Sequence, residues 1–358
     1  MLSVVIAAYN EEPVIANNLR RVADELSTRS SVEWEIICVD DGSTDKTGKL
    51  MDEFASGNAG VRILHHRRNF GQGRALRTAF DQCRGDVIVT LDADLSYAPD
   101  YIYRLTDALF QNNAEIALAS PYTKGGTVRN VPFHRRFLSR YGNLYLARMS
   151  HYSISTSTCV VRAYRREVLD AINLTSDGME LQLEVLMKAA MMGFRVCEIP
   201  ACLEWTEGKA AGANLRRASK MRILQMIRLY LLMGWLNRPA YIFIPFSLLL
   251  IGMGSYLAIN SVLLFFKLLS SSMDKGIILA ISSSLKGVVA SYYYGIVFSG
   301  LFLLFGLLTF AFSLILIQNK FYFEELYLLG QNPRNKNGNT WSSNISAREN
   351  NEGRISRE

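Results

Sequence analysis

Two long stretches of this chain carry no charged side chain: residues 241–266, 26 in a row, and residues 287–317, 31 in a row. At about 1.5 Å per residue a helix of either length exceeds the roughly 30 Å hydrocarbon layer of a bilayer, so both are long enough to span it. The residues ahead of them are mixed in character. A chain of 358 residues that is 49% hydrophobic and 20% charged is neither wholly disordered nor collagen-like. Its length leaves room for a full α/β core before the apolar runs begin. The expectation is an integral membrane protein with a soluble head.

Within the head, short apolar runs alternate with helical patterns. Strands are expected at residues 2–8, 35–39, 61–65, 86–91 and 115–119, with helices at 13–26, 44–55, 73–83 and from 99 or 100 to 111. Such alternation implies βαβ units and a mostly parallel sheet, with ligands outside the carboxyl ends of the strands. Three of those ends carry acidic or polar clusters. After Ser120 the pattern loses its regularity.

Charge is distributed unevenly. Residues 129–148 hold five Arg and no acid, and residues 216–238 hold six Lys or Arg and no acid. These two stretches contribute +11, while the whole chain is +7, so the remainder is net −4. Local basicity of this kind argues against a nucleic-acid binder and for two specific anionic partners. In the second stretch Leu215, Ile223, Leu224, Met226, Ile227, Leu231 and Trp235 interleave with the basic residues. That pattern fits an amphipathic helix on the cytoplasmic membrane surface.

Lys and Arg number six in residues 216–238 just before the first apolar run, three between the runs and six after the second, which places both termini in the cytoplasm. The apolar piece at 276–285 is too short to cross. Five cysteines without a C-x-x-C pair suggest reduced thiols, and no signal-type segment opens the chain, so the head is not expected to be exported. The expected organisation is an α/β head at 1–212 and a juxtamembrane amphipathic helix at 213–238. Two membrane helices with a short loop follow at 239–318, and a polar, partly disordered tail at 319–358.

Chemistry is concentrated at the strand ends. Asp92 and Asp94 flank Ala93 after the fourth strand, where carboxylates two apart point to the same side and can share one hard divalent cation. Asp40-Asp41-Gly42-Ser43-Thr44-Asp45 follows the second strand; its carboxylates can accept from a base N–H and ribose hydroxyls while Ser43 or Thr44 caps the next helix. Asn69-Phe70-Gly71-Gln72-Gly73 does not complete G-x-G-x-x-G, which argues against a Rossmann cofactor or a P-loop.

Taken in order, Ala7-Ala8-Tyr9-Asn10-Glu11, Val39-Asp40-Asp41-Gly42-Ser43, Asn69 to Gly73 with Ala75, and Asp92-Ala93-Asp94-Leu95 resemble the inverting family 2 glycosyltransferases of GT-A fold. Downstream, Arg135 with Ser139, Val161-Arg162-Ala163-Tyr164-Arg165-Arg166, Gly178-Met179-Glu180 with Glu184, Glu198-Ile199-Pro200 and Ser219-Lys220-Met221 are similar to the branch of dolichol-phosphate mannose synthases and bacterial polyprenyl-phosphate glycosyltransferases.

The resemblance implies that Ala7, Tyr9, Glu11, Val39, Asp40 and Asp41 hold the nucleotide. Asp92, Ala93 and Asp94 would hold Mg2+ or Mn2+ and the diphosphate. Arg135 and Ser139 would bind a lipid phosphate, with Lys220 near the phosphates. Against the family pattern, Ala7 stands for Pro, Ser96 for Gln, Pro121 for Arg and Thr156 for Asp, and residues 205–213 lack an Arg-x-x-Gly run. The implied reaction is metal-dependent transfer of one sugar from a nucleotide donor of UDP-Glc or GDP-Man type to polyprenyl or dolichyl phosphate. It leaves a homo-oligomer open. The alternatives are a glycan hydroxyl acceptor, with Asp177, Glu180 or Glu184 as base, and a non-catalytic nucleotide-sugar-binding scaffold.

A phosphate acceptor has independent chemical support. A lipid monophosphate is already an anion and needs only orientation, whereas a hydroxyl needs a base. Arginine binds phosphate through a bidentate fork and never deprotonates.

Overall fold

The computed structural model describes residues 1–29, 32–149, 152, 154–205, 240–272, 274 and 276–331. Its head is a seven-stranded sheet in the order β3-β2-β1-β4-β7-β5-β8. The elements in chain order are β1 (Leu2–Ala8), α1 (Ile15–Ser27), β2 (Trp34–Asp40), α2 (Thr47–Ser56), β3 (Val61–His65), α3 (Gln72–Phe80), β4 (Val87–Asp92), α4 (Tyr101–Gln111) and β5 (Ile116–Ser120). These match the alternation read from the sequence to within a few residues at each end.

Both faces of the sheet are covered. Val4 and Ile6 of β1 point into a core shared with Ile15, Leu19 and Val22 of α1 and with Ile102 and Leu105 of α4. Val5, their neighbour on the same strand, points the other way, against Leu76 and Ala79 of α3 and Leu181 and Val185 of a later helix. Alternate side chains of a strand face opposite sides, so a strand buried on both reads as a continuous apolar run. Helix α1 buries Ile15, Leu19, Val22 and Leu26 at three- and four-residue spacing, one stripe of an amphipathic helix.

The stretch after Ser120 is more ordered than its sequence suggests. It forms β6 (Thr127–Arg129), the long helix α5 (Phe133–Met149), β7 (Arg162–Arg165), α6 (Arg166–Ala171), α7 (Leu181–Met191), β8 (Val196–Pro200) and β9 (Cys202–Glu204). Strand β7 inserts antiparallel between β4 and β5. It is anchored by Arg162, wholly buried, whose guanidinium donates to the carbonyls of Cys159, Ser157 and Gln182 at 2.7, 2.7 and 2.9 Å.

Beyond the head lie α8 (Ala240–Ser271) and α9 (Ile277–Gln331). Both are long and apolar enough to cross a membrane, with mean hydropathy 2.1 and 2.6 over an 18-residue window within Ile242–Ser271 and Ile277–Tyr327. They pack closely against each other. A side chain at Gly254 of α8 would come within 2.8 Å of the Leu303 backbone on α9, and Ser299 donates to the Gly254 carbonyl at 3.0 Å.

The short apolar piece at 276–285 is not a separate loop segment. It opens α9, which bends at Tyr292 (φ −134°, ψ 28°) and runs on past residue 318, so residues 319–331 are helical. The expected juxtamembrane helix at 213–238 and Lys220 lie outside the described residues.

Candidate active site at the carboxyl edge of the sheet

Strand register brings the acidic clusters together. Asp40 ends β2 opposite Ala8, and Asp92 ends β4 opposite Ala7, so the two aspartates flank the end of β1. At about 4.8 Å per strand their Cα atoms stand roughly 10 Å apart across β1. This is the carboxyl edge of the parallel part of the sheet, where the change of strand order opens a crevice.

The Asp92-Ala93-Asp94 turn is fixed from several sides. Asn18 of α1 donates to the Ala93 carbonyl at 2.9 Å, and the Leu95 N–H returns to the Asp92 carbonyl at 3.0 Å. Leu95 adopts φ +48°, a left-handed conformation costing a branched side chain about 1–2 kcal/mol, and it is held there by burial of its side chain. Ser96 donates both its N–H (3.0 Å) and its hydroxyl (2.6 Å) to Asp94 Oδ1. Burial, then Cys159 and Asp92, push the Tyr97 phenol well above its ordinary pKa, so it stays protonated beside the acid pair.

Asp92 and Asp94 are half-buried hard-oxygen donors at a strand end. Among the described residues no cluster of three or more His, Cys, Asp or Glu is placed to hold a metal ion. Two carboxylates, with substrate phosphates and water completing the shell, are the donor set that suits Mg2+, so these residues fit such a cation.

Asp41 is also spoken for. Its Oδ1 accepts from the Phe70 N–H (3.0 Å) and from His66 (2.7 Å), and its Oδ2 from the Gly71 N–H (2.8 Å). The glycine-rich segment is therefore a loop clamped by Asp41. Its glycines serve close approach: a Cβ on Gly71, at φ +108°, would lie 2.5 Å from the Asp177 carbonyl oxygen, and one on Gly73 would lie 2.5 Å from that of Gly178. Asp40 Oδ1 accepts from the Ser43 N–H (3.0 Å), while Oδ2 faces His65 at 3.2 Å.

The expectation that Ser43 or Thr44 caps α2 is corrected. Ser43 accepts the Asn10 N–H at 3.0 Å, the Thr44 N–H goes to Asn10 Oδ1 at 2.8 Å, and Asp45 takes the Thr47 N–H at 3.0 Å. Asn10 sits at φ +55°, which a short amide side chain tolerates. These contacts, with the Glu11 N–H donating to Thr47 at 2.8 Å, tie the loop bearing Tyr9 and Glu11 to the loop after Asp41. Ala7 is half-buried, Val39 fully buried and Tyr9 exposed at the rim.

On α5, Arg135 and Ser139 are half-buried and one turn apart, in line with buried Asn143, which accepts the Ser157 N–H at 2.8 Å. The Arg135 guanidinium lies 5.0 Å over the Trp205 ring. Trp205 follows Glu204, whose N–H donates to the Ser96 carbonyl at 2.9 Å, so Arg135 is linked through β9 to the turn that holds Asp94. The opposite face of α5 is open: Phe133, Phe137 and Tyr141 are 73%, 52% and 55% exposed.

The acids considered as bases are otherwise engaged. Glu184, buried, accepts from the Thr175 N–H and hydroxyl (both 2.9 Å), the Ser176 N–H (2.8 Å) and Lys188. Burial pushes its carboxyl up, but the hydrogen bonds from Lys188, Ser176 and Thr175 prevail and hold it down at about 2. Glu180 accepts the Gly178 N–H at 2.9 Å, and Asp177 pairs with Arg77 at 2.8 Å. Thr156, standing for the family's Asp, is buried against Ser120 (2.7 Å) with its N–H on Glu198 (2.8 Å). Neither His65 nor His66 is marked by any sequence motif. Both reach the Asp40-Asp41 pair only through strand pairing.

The family model for glycosyl transferase family 2 matches residues 3–172. Polyprenol monophosphomannose synthase of Mycolicibacterium smegmatis is 37% identical over 228 residues, 60% of this chain and 83% of that protein. The chain belongs to glycosyl transferase family 2. Its head has the family's GT-A-type α/β fold, with a mostly parallel sheet. A second relative, the undecaprenyl-phosphate 4-deoxy-4-formamido-L-arabinose transferase of Pseudomonas fluorescens strain SBW25, is 38% identical over 176 residues. That match covers 48% of each protein, so the chain spans about half the length of this relative. A structure of glucosyl-3-phosphoglycerate synthase from Mycobacterium tuberculosis with Mn2+ and UDP is 21% identical, with TM-score 0.47 over 65% of this chain and 80% of that one.

Proposed function

We propose that this family 2 enzyme transfers a single sugar, with inversion, from a nucleoside-diphosphate donor to a polyprenyl or dolichyl phosphate at the cytoplasmic face of a membrane. The observation that carries this reading is the joining of an acid-lined crevice to an arginine-bearing helix: Asp94, Ser96, Glu204, Trp205 and Arg135 form one connected path. A donor diphosphate and an acceptor phosphate each need such a partner. The names of the two relatives support a prenyl phosphate acceptor, and they differ in the sugar.

In this reading Ala7, Tyr9, Glu11, Val39, Asp40 and Asp41 frame the nucleotide, and Asp92, Ala93 and Asp94 the diphosphate. Asp92 and Asp94 would hold Mg2+ or Mn2+, which offsets charge on the departing nucleoside diphosphate. Arg135 and Ser139 orient the acceptor phosphate so that one of its oxygens attacks the anomeric carbon in line. The new carbon–oxygen bond forms as the bond to the diphosphate breaks, and the leaving group carries away the electron pair. No base is required, which agrees with Glu184 being ionised and enclosed.

The aromatic face of α5, flanked by exposed Arg136, Arg140 and Arg148, would rest among headgroups and keep the crevice at the interface. Helices α8 and α9 would anchor the head there, with the basic segment 213–238 alongside and both termini cytoplasmic. The test compares a short-chain prenyl phosphate with the matching prenol as acceptors for the purified full-length protein in detergent. Transfer to the phosphate alone is expected; equal transfer to the alcohol contradicts the phosphate-acceptor reading.

A further inference from the structure

His65 closes β3 and His66 follows it, and the register of β2 with β3 sets His65 directly opposite Asp40. His66 Nδ1 meets Asp41 Oδ1 at 2.7 Å, and its Nε2 meets Thr78 Oγ1 of α3 at 3.0 Å. Both members of the His66–Asp41 pair are nearly enclosed, with side-chain exposures of 11% and 4%. A carboxylate only accepts, so Nδ1 carries a proton; the Thr78 hydroxyl, which can donate or accept, partners Nε2, and the ring is fixed in orientation.

His65 is placed differently. Its Nδ1 faces Asp40 at 3.2 Å and its Nε2 faces Asp52 of α2 at 2.9 Å. Two carboxylates on two ring nitrogens can both be satisfied only by an imidazolium, since the neutral ring has one N–H. The helix is built to admit this arrangement. Gly48 of α2 stands where a Cβ would lie 2.6 Å from Asp40 Oδ2 and 3.3 Å from His65 Cε1.

We propose that His65 and His66 are positioning residues of the donor site, each holding one carboxylate of the Asp40-Asp41 pair in the orientation that receives the nucleotide. This rests on the donor-site reading above and adds two residues and a pH dependence to it. Asp41 without His66 keeps its two backbone donors but loses the one contact that fixes its plane from the β3 side. Asp40 beside a neutral His65 keeps the Ser43 N–H and competes with Asp52 for the one N–H left on the ring.

The pH dependence has a definite sign. The charged groups facing His65 are Asp40 from β2 and Asp52 from α2. Burial disfavours the charged ring, but hydrogen bonds from it to Asp52 and Asp40 prevail and raise its titration above the ordinary histidine value. The doubly bonded state is complete below the unfolded-state value and is lost as pH rises through the folded one. Nucleotide affinity therefore falls as His65 deprotonates.

The experiment measures binding of UDP and of GDP, each with Mg2+, to the purified full-length protein across the histidine titration range, with thermal unfolding recorded alongside. The wild type is expected to bind one of them more weakly as pH rises, and His65→Gln to lose that pH dependence. His66→Ala is expected to weaken binding roughly tenfold, the size of one lost hydrogen bond to a charged group. His66→Asn, whose amide nitrogen stands near the Nδ1 position, is expected to recover most of the loss.

Unchanged affinity in His66→Ala, or an unaltered pH profile in His65→Gln, overturns the proposal while leaving the donor site intact. Lowered melting temperature with wild-type affinity and pH profile assigns the histidines to folding alone, and also overturns it. Failure of the wild type to bind either nucleotide removes the donor-site reading and this inference with it.

Discussion

Asp41 Oδ2 accepts the backbone N–H of Gly71 at 2.8 Å, so a residue at the end of β2 fixes the start of α3. The same carboxylate takes the Phe70 N–H and His66, and the loop it fixes lies against Asp177 and Gly178. Asp41→Ala leaves three donors without their acceptor in a buried setting. The expected loss is about 2–4 kcal/mol of stability, read by chemical denaturation. Gly71→Ala adds a methyl 2.5 Å from a backbone oxygen at a left-handed φ, and an additional loss of about 1–3 kcal/mol is expected.

Glu184 separates the two acceptor chemistries. Its carboxyl titrates at about 2, below the ordinary range, so its contribution is present above the unfolded-state value and is lost as pH falls toward about 2. Glu184→Gln is expected to lower stability at neutral pH by on the order of 3 kcal/mol and to flatten that part of the acid unfolding profile. Turnover per folded molecule is expected to persist. Abolished turnover in a folded Glu184→Gln protein favours a hydroxyl acceptor.

Asp94 and Arg135 are expected to fail in different ways. Asp94→Ala, or chelation by EDTA, should lower kcat by about 100-fold or more, because charge on the leaving diphosphate goes uncompensated. Arg135→Ala should raise KM for the prenyl phosphate with little change in nucleotide affinity. Trp205→Ala, which removes the ring beneath the guanidinium, should produce a milder version of the same effect. Initial-rate kinetics with each substrate varied in turn distinguishes these outcomes.

The open face of α5 gives a membrane-dependent prediction. Replacing Phe133, Phe137 and Tyr141 together with Ser removes an exposed aromatic stripe without disturbing the core. In reconstituted vesicles the apparent KM for embedded acceptor should rise, while a short-chain acceptor in detergent should be used as before. Equal loss in both settings assigns the stripe a role other than surface docking.

Much of the fold was legible because β1, β2, β4 and β5 are buried on both faces and therefore read as apolar runs between helices. Strand β7 was not, since its four residues include two arginines and Arg162 satisfies its charge on buried carbonyls. A buried arginine and a surface one look alike in sequence. The early start of α9 was hidden by Lys286, which interrupts an uncharged run but is a good helix former.

At the site, Asp92 and Asp94 could be placed from their position at a strand end. The clamping role of Asp41 and the approach of His65 and His66 could not. They depend on which strands become neighbours, and no local pattern carries that information.

The most direct measurement is transfer of radiolabelled sugar from UDP-Glc and from GDP-Man, with Mg2+ or Mn2+, into organic-extractable lipid by membranes containing this protein. One donor is expected to yield an acid-labile labelled lipid that disappears with EDTA, in Asp94→Ala and in Arg135→Ala. Label that appears only on a water-soluble glycan, or lipid labelling that is indifferent to both substitutions, contradicts sugar transfer to a prenyl phosphate at this site.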